Sequence, residues 1–398
     1  MRAVLEESFR AAVAAADPLR ILGAHLPRPP RGRTFVAAAG KAAASMALAV
    51  ERAWPGDAPL DGIAVTRYRH GLPTARIRVI EAGHPVPDEA GEAAATEILC
   101  QVQKLKEEDL LLALLSGGGS SLLSLPGEGV SMAALKTLTG KLLRSGATIQ
   151  EINTVRKHLS AIHGGRLAAA SAAPVLALII SDVTGDDPTH IASGPCAPDP
   201  STVADAKAVL EKYGIGFGGP FSETPKPSDS RFARVANRVV ATAYKSLEAA
   251  AEVFRLHGIR PQILGDTITG EAREVGREMA QRALGTRGPA ALISGGECTV
   301  TIRNEGGRGG RCAEFLLSLG ISLEGAPNIW GIAADTDGID GSEDNAGAVW
   351  LPEFAKRREA RTLLDRHDSY GFFKGAGGLV MTGPTRTNVN DYRAIVIA

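Results

Sequence analysis

Cysteine is scarce in this chain: 398 residues contain four, Cys100, Cys196, Cys298 and Cys312, far apart and without a C-x-x-C spacing. So few and so scattered thiols fit neither a zinc knuckle nor a dense disulfide framework, and a reducing cytoplasm is the expected compartment. Charge of one sign is also lacking. The 44 Lys and Arg are balanced by 44 Asp and Glu, which leaves no net positive field to hold a polyanion. Nucleic acid and anionic membrane are therefore not expected partners, and a small molecule is. Long apolar runs are missing too: the most apolar stretch, Ala172 to Ile180, falls short of the roughly 20 residues a bilayer span needs. At the N-terminus, Arg2, Glu6, Glu7 and Arg10 interrupt the alanines between Met1 and Asp17, which predicts an amphipathic helix in place of a signal peptide.

Several catalytic signatures are absent as well. No H-E-x-x-H, no G-x-S-x-G and no H-x-E with C-x-x-C occurs, which removes the commonest zinc-peptidase, hydrolase and deaminase patterns. A G-x-G-x-x-G does occur at Gly214, Gly216 and Gly219. It follows the helical stretch AKAVLEKYG, not a strand, and Pro220 comes next, so it lacks the context of a dinucleotide loop.

What is present is the alternation of an α/β protein. Short apolar runs at Thr34–Ala39, Leu110–Leu115, Val175–Ile180, Ala290–Ile293 and Ile329–Ala334 predict buried strands. Between them Ala42–Trp54, Asp88–Leu105, Met132–Ser145 and Arg231–His257 predict helices. At roughly 100–200 residues per domain the length allows two, and the polar, turn-rich Tyr213–Ser230 places the boundary near Ser230, giving domains over 1–230 and 231–398. Open parallel sheets bind ligands outside the carboxyl ends of their strands, and the unusual motifs fall at such ends.

Ser116-Gly117-Gly118-Gly119-Ser120-Ser121 follows the strand LLLALL; its glycines would let backbone N–H groups approach a phosphate, with a tight strand-to-helix turn as the simpler reading. Gly40-Lys41 opens a helix after TFVAAA. An ammonium is electrostatically unwelcome there unless an anion joins it, which makes Lys41 a ligand candidate; a solvated lysine is the alternative. Asp182, Asp186 and Asp187 crowd three carboxylates into six residues, a pattern that magnesium beside a phosphate would resolve, as would a solvated loop with a capping Asp. Asp335, Asp337 and Asp340 form a second acid run, whose glycine spacing rejects an EF-hand. Gly306 to Arg311 offers two guanidinium groups, Arg308 and Arg311, suited to phosphate or carboxylate oxygens, or else a hairpin turn with surface arginines. Arg156 and Lys157 are adjacent cations on a predicted helix, and Glu297 ends the SGGE that echoes the first glycine turn.

Taken together, Gly40-Lys41, GHPVPDE from Gly83, SGGGSSLL from Ser116, INTVRKHLS from Ile152 and SDVTGDDPTHIASGP from Ser181 resemble the glycerate 2-kinase family. SGGECTV from Ser294, GGRGGR from Gly306, DTDGIDG from Asp335 and TGPTRTNVND from Thr382 resemble its C-terminal MOFRL domain. The resemblance implies two three-layer α/β/α domains around a cleft, the first with a mostly parallel Rossmann-like sheet and the second with a mixed one. It implies ATP-dependent phosphorylation of D-glycerate at its 2-hydroxyl with Mg2+, with a homodimer as a permitted assembly. The family's lysine and arginine match Lys41 and Arg311, which are then catalytic, and the hydroxyl proton would go to Asp182 or to one of Asp186, Asp187, Asp335 and Asp337. Ser116 through Ser121 hold phosphate, and Arg156, Lys157, Glu297 and Arg308 hold substrate. Asp186, Asp187, Asp335 and Asp337 serve the metal. Relatives labelled hydroxypyruvate reductases supply a second reading, and a non-catalytic sugar-acid binder a third. Three positions depart from the family pattern: Cys312-Ala313 replaces an amide pair, Cys196 replaces a threonine after SGP, and Arg386 interrupts GPTGTNVND.

Overall fold

A computed structural model describes residues 1–302 and 307–398. Its contacts divide the chain into two compact units, Pro18–Val240 and a second made of Met1–Asp17 with Ala241–Ala398. The first is built on a six-stranded sheet whose strands are β1 (Thr34–Ala39), β2 (Leu60–Arg67), β3 (Ile77–Ala82), β4 (Leu110–Leu115), β5 (Val175–Ile180) and β6 (Val235–Ala241). They lie in the order β3-β2-β1-β4-β5-β6, and every pairing from β3 to β5 is parallel. Each residue of β1, β4 and β5 is buried. Such strands have helices on both faces and read as unbroken apolar runs. β2 and β3 carry exposed positions and stand toward one edge.

Local signals start the surrounding helices. Asp88 accepts the Gly91 N–H at 3.0 Å to cap Glu89–Val102, while Thr148 and Glu151 form a reciprocal capping box on Ile149–His158. The helix expected over Arg231–His257 is only partly formed. A 3-10 turn over Ser230–Arg234 leads into β6, and the α-helix begins after Thr242, whose hydroxyl accepts the Lys245 N–H at 3.3 Å. The β-branched Val235, Val239 and Val240 favour a strand, and the threonine cap fixes where the helix starts.

The second unit holds β7 (Arg260–Gly265), β8 (Gly270–Glu271), β9 (Ala290–Gly296), β10 (Cys298–Thr299), β11 (Ile329–Asp335), β12 (Gly347–Trp350), β13 (Leu379–Val380) and β14 (Asp391–Ile397). Its main sheet runs β13-β12-β11-β14-β9-β7 and is mixed: β14 is antiparallel to both β11 and β9, whereas β7 and β9 are parallel. The N-terminal helix Arg2–Ala15 belongs here and not with the residues that follow it. Its apolar stripe of Leu5, Phe9 and Ala12 is buried among Leu247, Ala250, Phe254 and Tyr392, and the Tyr392 hydroxyl donates to Ser8 Oγ at 2.8 Å. Among the described residues no helix is long and apolar enough to cross a membrane.

On the other face of this sheet, helix Arg311–Ser322 presents Gly320 to Trp350, whose ring would lie 2.1 Å from an added Cβ. Trp350 is itself stacked on Phe372 with centroids 6.1 Å apart and cannot retreat freely. Gly320→Ala is therefore expected to destabilise this unit by about 1–3 kcal/mol through overpacking. An unshifted denaturation midpoint followed by tryptophan fluorescence would contradict it.

Candidate functional site

In the first unit the register pairs Ala39 with Leu115 across β1 and β4, so the segments leaving these strands, Gly40-Lys41 and Ser116–Ser121, start side by side. They are laced together. The Lys41 N–H donates to the Gly117 carbonyl at 2.8 Å, the Ser116 N–H to the Ala39 carbonyl at 3.1 Å, and the Ala42 N–H to Ser116 Oγ at 3.0 Å. Gly40 has φ 131 and a Cβ there would meet Ser116 Oγ at 2.1 Å, so the close approach requires glycine. At Gly118, φ 81, a Cβ would sit 2.9 Å from the His84 ring and 3.4 Å from Lys41 Cγ, which places both side chains beside the glycine turn.

The hydroxyls of the turn divide by role. Ser116 is buried with its oxygen engaged by Ala42, and Ser121 donates to the Gly118 carbonyl at 3.1 Å. These two hold the loop itself. Ser120 instead meets Ser193 Oγ at 2.8 Å, and Ser193 donates to Asn153 Oδ1 at 3.0 Å. Arg156 joins the same group through Nη1, 2.9 Å from Asn153 Oδ1 and 3.4 Å from Ser193 Oγ. Among the described residues the N–H groups of Gly117, Gly118 and Ser120 make no hydrogen bond, an arrangement suited to anion oxygens. Lys157, by contrast, is buried with Nζ 3.3 Å from Asp199 Oδ1. Its charge is neutralised inside the protein, and the expectation that it holds substrate is not carried forward.

Asp182, Asp186 and Asp187 follow β5. Asp187 Oδ1 accepts the Thr189 N–H at 2.8 Å, so it caps the next turn, whereas the Asp186 carboxylate makes no hydrogen bond among the described residues. No three His, Cys, Asp or Glu side chains converge as a metal-ligand group among those residues. Magnesium is commonly held by one or two carboxylates plus phosphate oxygens, and a single acidic loop with an unengaged Asp186 fits that mode.

In the second unit the sheet register assembles the acids. Asp335 ends β11 and pairs with Asp391 at the start of β14, and Asp391 pairs with Gly296, the residue before Glu297. Arg311 reaches all three: Nε to Asp391 Oδ1 at 2.8 Å, Nη2 to Asp335 Oδ2 at 2.8 Å, and Nη1 to Glu297 Oε1 at 3.1 Å. Burial alone would lower its pKa, but the Asp391, Asp335 and Glu297 carboxylates hold it above the ordinary arginine value. Arg393 adds a second cation, with Nη2 2.9 Å from Asp391 Oδ2. The guanidinium expected to be catalytic is thus engaged by three protein carboxylates. Asp335, expected at the metal, is engaged within the protein: Oδ2 faces Arg311 and Oδ1 accepts the Asp337 N–H at 3.0 Å. Asp337 Oδ1 in turn accepts the Ile339 N–H at 2.9 Å, so these acids shape a turn.

Asp340 closes the start of helix Arg311–Ser322 by accepting the Cys312 and Ala313 N–H groups at 3.0 and 2.8 Å. Burial pushes its carboxyl up to about 7 despite those two bonds. A carboxyl raised in the folded state contributes stability that is full below its unfolded value near 4 and lost as pH climbs through 7. The stability difference between wild type and Asp340→Asn should move by about 4 kcal/mol in the variant's favour from pH 4 to pH 8. Urea unfolding at both pH values reads this, and a constant difference would contradict it.

The arginine-glycine run is packed down, not loose. A Cβ on Gly307 would meet the Arg366 carbonyl at 2.1 Å and one on Gly309 would meet Ser369 Oγ at 2.4 Å. Arg308 is half-exposed, lying over the Tyr370 ring at 5.1 Å and 4.0 Å from Asp368. Gly306 lies outside the described residues. The departures from the family pattern are absorbed locally. Cys196, Cys312 and Ala313 are core residues, and burial lifts the Cys196 thiol to about 12. Arg386 sits at φ 60, a left-handed position where the family's usual glycine carries no steric penalty. Ser193 and Asp391 had no signal of their own in the sequence beyond lying in HIASGP and closing TNVND.

A mostly parallel sheet with glycines and cations at its strand ends, together with a separate mixed-sheet unit, defines the class: a two-unit α/β protein. Two family models match the chain, a domain of unknown function (DUF4147) over residues 4–219 and the MOFRL family over residues 290–391. An Agrobacterium vitis protein named "Putative hydroxypyruvate reductase" is 52% identical, the match covering 100% of this chain and 94% of that protein. The D-glycerate 2-kinase of Thermotoga maritima is 41% identical over 97% of this chain and 95% of its own. The crystal structure of the glycerate kinase from Thermotoga maritima superposes with a TM-score of 0.87 at 38% identity, covering 99% of both chains. This chain belongs to the MOFRL-domain family of glycerate 2-kinases and their relatives named as hydroxypyruvate reductases.

Proposed function

We propose that the protein transfers the γ-phosphoryl group of ATP to the 2-hydroxyl of D-glycerate, giving 2-phosphoglycerate and ADP. The observation that carries this reading is the near full-length match to the D-glycerate 2-kinase of Thermotoga maritima, over a chain whose Lys41 is fixed beside the glycine turn. Phosphoryl transfer is chiefly a matter of positioning and charge neutralisation. The N–H groups of Gly117, Gly118 and Ser120 would bind phosphate oxygens, and the Lys41 ammonium would neutralise the group in transfer. Asp182 would take the proton of the attacking hydroxyl, and Asp186 with Asp187 would hold Mg2+. When bound, that cation supplies further charge neutralisation on the phosphate oxygens. Arg311 would act through its acids, ordering Asp335, Asp391 and Glu297, and the half-exposed Arg308 would meet an anionic ligand. The protein would work in the cytoplasm, where its four free thiols stay reduced.

The reductase reading has the Agrobacterium vitis relative's name in its favour. It needs a dinucleotide loop, and the G-x-G-x-x-G at Gly214 lies after helix Val203–Lys212 in a segment without a preceding strand. ADP release measured across small hydroxy acids, followed by enolase coupling to separate 2-phosphoglycerate from its 3-isomer, tests the kinase. Hydroxypyruvate-dependent oxidation of NADH without glycerate-dependent ADP release would replace it by the reductase.

A further inference from the structure

Three cations gather behind the glycine turn of the first unit, and two of them have carboxylates. Lys157 pairs with Asp199, and Arg166 lies in the field of Asp199 and Glu223. Arg156 has no carboxylate partner among the described residues; burial alone acts on it and lowers its pKa to about 10. The excess positive charge reaches His163, which is fully buried with neither ring nitrogen hydrogen-bonded. Burial and the charges of Arg156, Arg166 and Lys157 drive its pKa down to about 3, so it stays neutral beside them. A largely desolvated guanidinium without a counter-ion is costly unless a ligand supplies one.

Its surroundings hold it in one orientation. Nη1 is committed to Asn153 Oδ1 and Ser193 Oγ, while Nε and Nη2 make no hydrogen bond. Since Ser193 spends its proton on Asn153, Ser120 must donate to Ser193, which closes a chain from the glycine turn to the arginine. The backbone contributes as well: Ala192 and Ser193 both adopt left-handed conformations, φ 51 and φ 58, without being glycine. Such residues persist where their surroundings enforce them, often at ligand sites. Here the enforcement includes Gly119, whose added Cβ would lie 2.5 Å from that of Ala192.

We infer that the free Nε–Nη2 edge of Arg156 binds the carboxylate of the substrate, with Ser193 and Asn153 as positioning residues, so that this cluster selects an α-hydroxy acid over an uncharged polyol. One planar edge with two parallel donors matches two oxygens of a carboxylate or of a phosphate; the phosphates already have the N–H groups of Gly117, Gly118 and Ser120, which leaves the Arg156 fork to the carboxylate. The inference rests on the kinase reading for the identity of the acid, but its geometry does not depend on turnover.

The test uses the full chain with Arg156→Met, Arg156→Lys and Ser193→Ala, each first checked for an unaltered melting profile. Arg156→Met should raise the KM for D-glycerate by about 100-fold or more and leave that for ATP within about twofold, the loss of two charge-assisted hydrogen bonds. It should also erase the preference for D-glycerate over glycerol. Arg156→Lys keeps the charge but not the fork and should recover only part of the loss. Ser193→Ala should raise the glycerate KM by about tenfold with kcat little changed, as expected of lost positioning. An unchanged glycerate KM in Arg156→Met overturns the inference, and so does a rise in the ATP KM instead, which would assign the guanidinium to a phosphate. If the wild type shows no glycerate-dependent ADP release, the kinase reading fails, and calorimetric titration with D-glycerate then decides the inference alone. Binding by wild type that Arg156→Met abolishes supports it; equal binding, or none to either, overturns it.

Discussion

Arg311→Ala is expected to destabilise the unit of Met1–Asp17 and Ala241–Ala398 by about 3–5 kcal/mol at neutral pH, the usual consequence of removing one partner from a buried ion network. The family resemblance makes Arg311 a catalytic cation. Its place in the structure gives the fold a stake in it as well, because Asp391 and Asp335 are almost fully buried and Arg311 is the cation that spans both and Glu297. Without it, Arg393 alone faces Asp391, and the carboxylates must either protonate or open to water. Urea unfolding followed at Trp330 and Trp350 measures the change. A loss below about 1 kcal/mol would place the network among ordinary surface salt bridges. Arg311→Ala combined with Asp335→Asn should lose less than Arg311→Ala alone, since one of the stranded charges is gone.

Lys41→Ala should behave in the opposite way, lowering kcat by about 100- to 1000-fold, the scale seen when a transition-state charge donor is removed, in a protein that still folds. The bonds that lace this corner, Lys41 N–H to the Gly117 carbonyl, Ser116 N–H to the Ala39 carbonyl and Ala42 N–H to Ser116 Oγ, use no side-chain atom of Lys41, and alanine keeps them. Its ammonium is carried on a partly exposed side chain beside Gly118 and His84. Initial rates of ADP release and a thermal melt on the same sample give both readouts. A kcat within tenfold of wild type would remove Lys41 from the role proposed for it.

How much of this could be read in advance depended on burial. β1, β4 and β5 match the apolar runs residue for residue because both of their faces are covered, and a strand buried on both sides has no polar alternation to blur its ends. β2 and β3, with exposed positions, and β14, which begins Asp391-Tyr392-Arg393, did not stand out. The glycine turns were legible as special places, yet their physical use was not. Gly40 is required by Ser116 and Gly320 by Trp350, residues distant in sequence. The cations were the hardest. Motifs mark Lys41, Arg156, Lys157, Arg308 and Arg311 as site candidates without showing their partners, and only folding shows that Lys157 is paired with Asp199 and Arg311 with three acids while one edge of Arg156 is left open.

The amino-acid sequence by itself determined the α/β character, the positions of the buried strands, the turns that flank Lys41 and the motif order that marks the family, since all of these are written in contiguous residues. Tertiary structure alone decided that the N-terminal helix completes the second unit, that Asp335, Asp391 and Glu297 share one arginine, and that Ser193 and Asn153 stand behind Arg156. The reason is the range of the interactions. Strand and turn preferences act between near neighbours, whereas charge pairing and close packing depend on distances in space that only the assembled sheets and their helices establish.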